Sequence, residues 1–392
     1  MVFAFRVAGV AHIAFFGSPS RAHVYPSLPI VAELVRRGHR VTYPINDEYT
    51  ELVAATGAEP LSVETTLPVK GEPWPLDVVV SMERHLTEAT TTLPHLLAAY
   101  EHDRPDVVVH DRGTWTGRLL AHRWGVPATQ FSPSFVTYRS WDEDLREFNT
   151  QPAMVEVYRK LEAWLAEYGM VMAGPRFIAH PDRGVVTIPR CMQFRADDVG
   201  DEYTFVGPCF ADRTHDGGWR VPSDRPVLLV SLGSSNTDEP PFYRECFKAF
   251  GSLNWHVVVG IGAHVDPADL GPVPPNTELL RWVPQWDVLS QASAFVTHNG
   301  MGGTLEALHH GVPMVGVPIT GEQTANAHAV AALGVGQVIP WDQVTAERLR
   351  EAVLQLARDP EVAARWAVLR KEIHEGGGAE TAADSIEALV GK

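Results

Sequence analysis

The sequence predicts an α/β protein with two doubly wound, Rossmann-like domains that face each other across a cleft. Short apolar segments typical of buried strands alternate with helix-like segments in both halves of the chain. Strands and helices that alternate in this way pair their strands in parallel through right-handed crossovers. A polar stretch with two glycines, at 210–224, separates the two halves. The length of 392 residues is also more than one hydrophobic core usually supports.

In the first half, the strand and helix signals follow one another closely. HIAFF (12–16) is short and apolar, which is typical of a buried strand. A polar turn is expected next, and an amphipathic helix is predicted to begin at Tyr25 and to end at Gly38. Three later segments are predicted as strands, namely HRVTYPI (39–45), PDVVVHD (105–111) and PATQFS (127–132). A helix is predicted between the last two of them, at TGRLLAHRWG (116–125).

Residues 133–195 interrupt the alternation. Aromatic residues recur there at helical spacing among charged ones. This pattern fits helices packed through their rings, and it also fits an apolar wall for a ligand. The alternation then returns, with a helix at 240–251 and strands at 225–234, 255–262, 277–284, 293–300 and 313–319. We therefore expect an N-terminal domain (1–209), a linker (210–224), a second domain (225–375) and a final helical segment that crosses back to the first domain (376–392).

The composition argues against several classes of protein. The net charge of −16 disfavours a sequence-independent grip on nucleic acid or on an anionic membrane, because both need a basic face. Three scattered cysteines are too few for a disulfide framework or a zinc site. No apolar run approaches the ~18 residues of a membrane span. A signal peptide is not expected in MVFAFRVAGV, so the expected location is cytoplasmic.

The densest group of glycines and polar residues lies at 297–306, where a predicted strand ends and a helix begins. The three glycines of NGMGGT allow the backbone to approach a ligand closely. The free amides and the positive dipole end of a helix N-terminus favour a phosphate. His298 and Thr304 add donors to such a phosphate, and Glu306 can accept bonds from ribose hydroxyls.

Three further segments follow strands of the same domain. SLGSS (231–235) is a second glycine turn, and Trp282 offers a flat ring on which a base can stack. Glu322 and Gln323 offer acceptors and donors suited to sugar hydroxyls. Taken alone, each segment has an ordinary structural explanation: a strand–helix turn for SLGSS, a core position for Trp282 and a solvated loop for Glu322 and Gln323. All of them lie at the carboxyl ends of predicted parallel strands, where ligands of such sheets bind, and this shared position favours a nucleotide-sugar site.

Four strings in this half resemble the nucleotide-sugar signature of the UDP-dependent glycosyltransferases of family 1, which have the two-domain GT-B fold. They are W-V-P-Q (282–285), T-H-N-G-x-G-G-T-x-E (297–306), G-V-P-M (311–314) and E-Q-x-x-N-A (322–327). Other stretches, among them HVYPSLPIVAELVRRGHRVTY and VVHDRGTWTGRLLAHRWGVPA, are similar to the macrolide-inactivating subgroup from antibiotic-producing bacteria. The resemblance covers nearly the whole chain.

The resemblance implies a role for each matching residue of the donor site. Trp282 stacks on uracil, the Val283 backbone pairs with the base edge and Glu306 holds the ribose. The other implied positions are Gln285 and Gly300 in the donor site, Ser234, His298, Gly302, Gly303 and Thr304 at the diphosphate, and Glu322 and Gln323 at the sugar hydroxyls. The implied co-substrate is a UDP-sugar, with UDP-glucose as the default, and no permanently bound cofactor and no metal ion are expected.

His23 and Asp111 are the predicted catalytic pair. His23 follows the first strand and Asp111 ends a later one, so both face the cleft in the predicted architecture. A neutral imidazole takes a proton from a hydroxyl near neutral pH, and a carboxylate fixes its tautomer and stabilises the imidazolium. The resemblance implies the same base and partner. The sequence differs from the family pattern at two positions beside His23. Ala22 stands where relatives usually carry glycine. Arg21 is the other difference, and it is expected either to touch the diphosphate or to lower the pKa of His23.

The expected reaction is a direct displacement that inverts the anomeric centre, with UDP leaving into the helix N-terminus. The expected acceptor is a lipophilic alcohol, a macrolide by resemblance, bound by the N-terminal domain. Candidate lining residues, each equally explained by core packing, are Trp74, Trp115, Phe131, Ser132, Phe135 and Met154. The string Asp142-Glu143-Asp144 is similar to manganese-binding strings, but it lies far from the donor motif and is interpreted as a solvated helix face.

Two other functions stay open at this point. A UDP-sugar epimerase of the same fold would need no lipophilic pocket. A non-catalytic accessory protein to a glycosyltransferase would be expected to have lost His23, Asp111 or the donor residues, all of which are present. The sequence also leaves open a monomer or a homodimer, and a biosynthetic or a self-resistance role. Small molecules are the expected partners, without nucleic acid or membrane.

Overall fold

The structure is a computed structural model that describes residues 9–69, 72, 74–211, 218–222, 224–233 and 237–391. Ser234, predicted at the diphosphate, and residues 212–217 and 223 of the predicted linker lie outside the described residues. The described chain forms a seven-stranded and a six-stranded sheet, and their neighbouring strands are parallel.

The strands and helices alternate along the chain. The first sheet contains β1 (His12–Phe16), β2 (Arg40–Ile45), β3 (Glu59–Ser62), β4 (Val107–Asp111), β5 (Ala128–Ser132), β6 (Gly184–Val186) and β7 (Tyr203–Phe205). The second contains β8 (Val227–Ser231), β9 (His256–Gly260), β10 (Thr277–Leu280), β11 (Ala292–Thr297), β12 (Met314–Gly316) and β13 (Gly336–Val338). The helices are α1 (Arg21–Arg36), α2 (Asp47–Ala54), α3 (Val78–Ala99), α4 (Trp115–Trp124), α5 (Trp141–Asp144), α6 (Arg146–Asn149), α7 (Pro152–Glu167), α8 (Gly174–Ala179), α9 (Pro240–Phe250), α10 (Gln285–Leu289), α11 (Met301–His310), α12 (Gly321–Ala332), α13 (Ala346–Arg358), α14 (Pro360–His374) and α15 (Gly378–Glu387).

Each strand predicted from the sequence is present and overlaps the segment predicted for it. The strands that were not predicted are β3, β6, β7 and β13, which read EPLS, GVV, YTF and GQV. They are three or four residues long. Such short segments lack the apolar run by which a buried strand is recognised.

Both sheets have the strand order of a doubly wound fold. The orders are β3-β2-β1-β4-β5-β6-β7 and β10-β9-β8-β11-β12-β13. In each sheet the winding reverses at one pair of neighbouring strands, β1 and β4 in the first and β8 and β11 in the second. Ligands of open parallel sheets bind outside the carboxyl ends of the strands at this switch point. The topology therefore places one candidate ligand site on each sheet.

Helix α1 begins four residues earlier than predicted. Its first residue is Arg21, and Ser20 before it has the extended conformation of an N-cap residue (φ −132°, ψ 135°). The amides of His23 and Val24 bond to the Ser20 carbonyl at 2.9 and 2.8 Å, so the helix already runs ahead of Tyr25. In this first turn Arg21 and Ala22 are exposed, and Val24 alone packs into the core. A single apolar residue does not establish a helical period, so the pattern does not show the turn. His23 is therefore a helical residue and not a loop residue.

The segment 133–195 contains four helices, and the longest of them, α7, packs into the core. Leu161, Trp164 and Leu165 of α7 are buried in a cluster with residues of α3 and α4. Packing through apolar side chains thus accounts for the helical spacing of this segment. Across the described residues, no helix combines the length and the apolar character needed to cross a membrane.

The C-terminal helix α15 packs against α1, so the end of the chain joins the core of the first sheet. Ala382, Ala383 and Ile386 are buried in the cluster that contains the apolar face of α1. Arg37, the residue after α1, is the polar centre of this contact. Its guanidinium donates to carboxylates of Glu33, Asp384 and Glu387 at 2.7, 2.6 and 2.8 Å.

Arg37→Ala is expected to lower the free energy of unfolding by about 1–3 kcal/mol, more than an exposed pair and less than a fully buried one. The reason is that three carboxylates lose their shared cation, and two of them, Glu33 and Glu387, are 10 % and 22 % exposed. Thermal unfolding measures the change. Arg36→Ala is the matched control, because Arg36 is 69 % exposed and bonds to Glu33 alone among these carboxylates. Equal changes in Tm for the two variants would contradict the role of Arg37 as the polar centre of the contact between α1 and α15.

Candidate functional site

The site is built around a histidine–aspartate pair at the switch point of the first sheet. His23 lies in the first turn of α1, after β1, and Asp111 is the last residue of β4. His23 Nδ1 is 2.7 Å from Asp111 Oδ2, and the Gly113 amide donates to Asp111 Oδ1 at 2.7 Å. The Asp111 side chain is fully buried and that of His23 is 25 % exposed. The carboxylate thus fixes the ring through Nδ1 and leaves Nε2 for a ligand.

The groups around His23 shift its pKa. Burial lowers the pKa of His23, but the charge and hydrogen bond of Asp111 and the charge of Glu322 together outweigh it, so the pKa is raised from 6.5. Arg112 is the cation that opposes this rise. The guanidinium of Arg21 lies over the rings of Tyr25 and Trp282, and its contact with the diphosphate stays a prediction.

Two glycines at the second switch point make room for His298. A Cβ at Gly233 would lie 2.6 Å from His298 Cε1, and a Cβ at Gly300 would lie 2.5 Å from Nε2. Only glycine therefore fits beside this ring, and Gly233 also has a positive φ of 80°. Burial lowers the pKa of His298 to about 4, so the imidazole is neutral near pH 7. Its Nδ1 atom is buried and lacks a hydrogen-bond partner among the described residues.

Helix α11 begins beside this ring and opens towards solvent. Gly300 is its N-cap residue, and a Cβ at the exposed Gly302 would meet nothing within 4 Å. A Cβ at Gly303 would lie 3.2 Å from Gln285 Nε2. Backbone amides at a helix N-terminus bind anions without a formal cation. The arrangement suits a phosphate or diphosphate next to a neutral imidazole.

Asn299 holds the turn between β11 and α11. Its φ is 59°, in the left-handed region that asparagine tolerates better than most residues. Its side-chain amide donates to Thr304 Oγ1 at 3.4 Å, and its carbonyl accepts from Asn326 at 2.9 Å. The fully buried Thr304 also bonds through its amide to the Gly300 carbonyl at 3.0 Å. Thr304 thus supports the turn, and its predicted contact with the diphosphate stays a prediction.

The residues predicted to bind the base and the ribose lie together beside α11. Trp282 is 61 % exposed between β10 and α10. Val283 packs over Gly260, where a Cβ would lie 2.8 Å from Val283 Cγ2. Gln285 donates through Nε2 to Glu306 Oε2 at 2.7 Å, and Glu306 is buried. Gln285 thus orients the carboxylate that the sequence predicts at the ribose.

Glu322 and Gln323 occupy the first turn of α12 but have different surroundings. Glu322 is exposed, and its charge reaches His23 of the other sheet, whose pKa it raises. Gln323 forms a capping box with Thr320, in which its Oε1 accepts from the Ile319 and Thr320 amides at 2.8 and 3.1 Å. Only the Nε2 group of Gln323 is left to donate to a sugar. The sequence signal for this cap is T-x-x-Q at 320–323.

His85 of α3 is a further functional candidate near the catalytic pair. Its ring lies between those of Trp74 and Trp115, with centroids 6.0 and 5.9 Å away. Burial and the charge of His23 lower its pKa to about 4. With Trp115 it lines a small, partly open cavity at the carboxyl ends of β1 to β4. No spacing in the sequence points to His85, because only the tertiary fold brings α3 to this place.

The other predicted acceptor residues lie elsewhere in the first domain. Phe131 packs at an angle of 61° against Phe15 in the core, and Ser132 and Met154 are completely buried. The rings of Phe135 and Phe194 pack together, with their centroids 4.6 Å apart. The structure thus groups only Trp74 and Trp115, around His85. An acceptor role stays a prediction for all six.

Asp142 and Asp144 of the acidic string in α5 bond to neighbouring side chains. Asp142 is 2.9 Å from His180 Nε2, and Asp144 is 2.7 Å from Arg195 Nη1. In the described parts of the chain, no group of three or more histidine, cysteine or acidic residues is arranged to hold a metal ion.

Comparison with known proteins decides the family of the chain. Residues 219–374 match the family described as UDP-glucoronosyl and UDP-glucosyl transferase. The chain is 44 % identical over 389 residues to the oleandomycin glycosyltransferase of Streptomyces antibioticus, an alignment that covers 96 % of this chain and 90 % of that protein. The chain belongs to the UDP-dependent glycosyltransferases of family 1. This confirms the resemblance seen in the motifs, and it favours a glycosyltransferase over the epimerase and the accessory protein.

Solved structures show the same fold as this glycosyltransferase. The glycosyltransferase of kitacinnamycin has a TM-score of 0.91 and 43 % identity, with 97 % of this chain and 99 % of that chain covered. CalG4, the calicheamicin glycosyltransferase, has a TM-score of 0.84 and 35 % identity, with 97 % and 98 % covered. The predicted GT-B architecture of two Rossmann-like domains is confirmed.

Proposed function

We propose that this glycosyltransferase transfers a sugar, with glucose as the expected one, from UDP to a hydroxyl of a lipophilic natural product. The acceptor class we expect is the macrolides, and the anomeric centre is inverted. His23 is the general base and Asp111 its partner. The observation that carries the proposal is the 2.7 Å contact of His23 with the buried Asp111 at the switch point of the first sheet.

The hydrogen bond to Asp111 leaves His23 Nε2 to accept the proton of the acceptor hydroxyl. The Asp111 carboxylate accepts from Nδ1–H, so the lone pair of the neutral ring is on Nε2. Nε2 takes the proton of the acceptor hydroxyl while the oxygen forms a bond to the anomeric carbon. The bond from that carbon to the phosphate oxygen breaks, and UDP leaves with the electron pair. Attack from the face opposite UDP inverts the configuration.

The leaving group is stabilised by the second sheet. The open N-terminus of α11 and the neutral His298 offer donors to the diphosphate, and they are held in place before the reaction. The exposed Trp282 offers its face to uracil, and Glu306, oriented by Gln285, binds the ribose. This donor set neutralises the developing charge through hydrogen bonds and the helix dipole.

We expect the acceptor to bind the first domain beside the catalytic pair. Trp115, Leu67 and Val63 give the cavity there an apolar wall, but its volume of about 40 Å³ is too small for a large lipophilic alcohol, so such an acceptor needs space outside it. The similarity to glycosyltransferases named for oleandomycin and calicheamicin supports a natural product as the acceptor. The macrolide class rests on the resemblance of the motifs.

The proposal is tested by incubating the enzyme with UDP-glucose and a mixed panel of macrolide and aromatic polyketide alcohols, followed by mass spectrometry. We expect a mass increase of one hexose for at least one macrolide. His23→Ala should form this product about 10²–10⁴-fold more slowly, while His122→Ala, at an exposed position of α4, should behave as the wild type. Lack of product with every UDP-sugar would contradict the transferase. Conversion of the UDP-sugar without an acceptor would instead indicate an epimerase.

The pH dependence of kcat/KM is expected to report the raised pKa of His23. The base works only when neutral, so activity should fall as the pH drops through a value above 6.5. Asp111→Asn removes the main influence that raises this pKa, while burial and Arg112 continue to lower it. Its acid limb should therefore move to lower pH, on a slower reaction. Initial rates between about pH 5 and 9, a range that brackets the ordinary imidazole pKa of about 6.5, measure this. An acid limb that does not move would contradict the pairing.

A further inference from the structure

The first residue of α1 makes a contact that neither the fold nor the base requires. The Cζ atom of Arg21 lies over the ring of Tyr25, 4.5 Å from its centroid, and over the ring of Trp282, 4.8 Å from its centroid. Tyr25 and Arg21 belong to the same helix, whereas Trp282 follows β10 of the other sheet. The guanidinium therefore connects the helix that carries the base to the indole of the donor side.

Arginine is a poor local choice at this position. The positive end of the helix dipole disfavours a cation in the first turn, and α1 has no acidic residue there to compensate. Within the described parts of the chain Arg21 forms no ion pair, and it is exposed. A residue that breaks a local rule is expected to have a compensating role elsewhere. The planar guanidinium stacks on aromatic faces, and here the two rings supply that partner.

Trp282 is held weakly by its own domain. It stays 61 % exposed even with Arg21 against it, so part of the indole remains accessible to a ligand. An exposed side chain loses rotamer freedom when a ligand stacks on it, and a neighbour that fixes it beforehand reduces this cost. We propose that Arg21 is a positioning residue of the donor site, which holds Trp282 from one face so that the base of the UDP-sugar stacks on the other. The inference rests on the proposed function.

The test is calorimetric titration of UDP into the wild type and three variants. Arg21→Ala should weaken UDP binding about threefold to tenfold, the range expected for a cation–aromatic contact. Arg21→Lys keeps the charge and loses the plane, so it should resemble Arg21→Ala. The matched control is Arg123→Ala, which removes one exposed positive charge from α4 of the same domain and should bind as the wild type.

Two results would overturn the inference. If Arg21→Ala binds UDP as tightly as the wild type or more tightly, the guanidinium contributes nothing to UDP binding or obstructs stacking on the indole. Wild-type binding by Arg21→Lys would mean that Arg21 acts as a charge for the phosphates. If the wild type binds no UDP, the proposed function and this inference fall together, whereas normal wild-type binding with an unchanged Arg21→Ala removes the inference alone.

Kinetics and a double-mutant cycle separate positioning from a general structural effect. Arg21→Ala should raise KM for the UDP-sugar and leave kcat within about twofold, because the reacting atoms are untouched. In a Trp282→Leu background, Arg21→Ala should add no further loss of UDP affinity. An equal loss in both backgrounds, or a loss confined to kcat, would show that Arg21 does not act through the indole.

Discussion

His23→Ala is expected to lower kcat for transfer by about 10²–10⁴-fold, the contribution typical of a positioned general base. The acceptor hydroxyl then lacks the positioned group that takes its proton during attack. UDP affinity should be unchanged, because the anion site belongs to the other sheet. Steady-state rates and calorimetric titration of UDP measure the two effects separately.

The pair is also expected to act as one unit. Asp111→Asn should slow transfer, and adding it to His23→Ala should cause little further loss, because the aspartate acts only through the ring. His122→Ala serves as the control for removal of an imidazole from the first domain. Transfer by His23→Ala within tenfold of the wild type would show that another group is the base.

Gly302→Ala is expected to weaken donor binding by about tenfold to a hundredfold, the cost typical of one extra methyl group in a filled site. The Cβ of a helical residue tilts towards the helix N-terminus, which here is the proposed diphosphate site. The free protein has room for this methyl group, since a Cβ meets nothing within 4 Å. Alanine also favours a helix over glycine. The variant should therefore be at least as stable as the wild type and yet bind UDP poorly.

The combination of unchanged stability and lost binding is what distinguishes a ligand site from a packing site. Thermal unfolding and calorimetric titration of UDP on the same preparation measure both quantities. Gly9→Ala is the control, because its Cβ also meets open space but it lies ahead of β1. If Gly302→Ala binds UDP as tightly as the wild type, the diphosphate does not lie at the start of α11.

The parts of the fold that depend on apolar runs could be predicted from the sequence. β1, β4, β8 and β11 have strongly buried patterns, and they are the strands that form the two switch points. Once their order is known, residues at their carboxyl ends must come together. The proximity of His23 to Asp111 follows from this rule, although 88 positions separate them in the chain.

Other features could not be predicted because their causes are tertiary or conformational. The first turn of α1 contains one core residue, Val24, which gives no helical period by itself, so the helix is predicted to begin only at Tyr25. The burial of Thr304 depends on the left-handed Asn299, which no spacing reveals. His85 meets the catalytic pair only when α3 folds across the first sheet. Contacts between domains, such as Arg21 with Trp282, lie beyond any pattern within one segment.

The most direct test of the account is a crystal structure of the enzyme with UDP and an acceptor alcohol. The account predicts uracil stacked on Trp282, the diphosphate at the first amides of α11 beside His298, and the acceptor oxygen within hydrogen-bonding distance of His23 Nε2. A nucleotide bound elsewhere, or a His23 ring that faces packed side chains and not the acceptor, would contradict it.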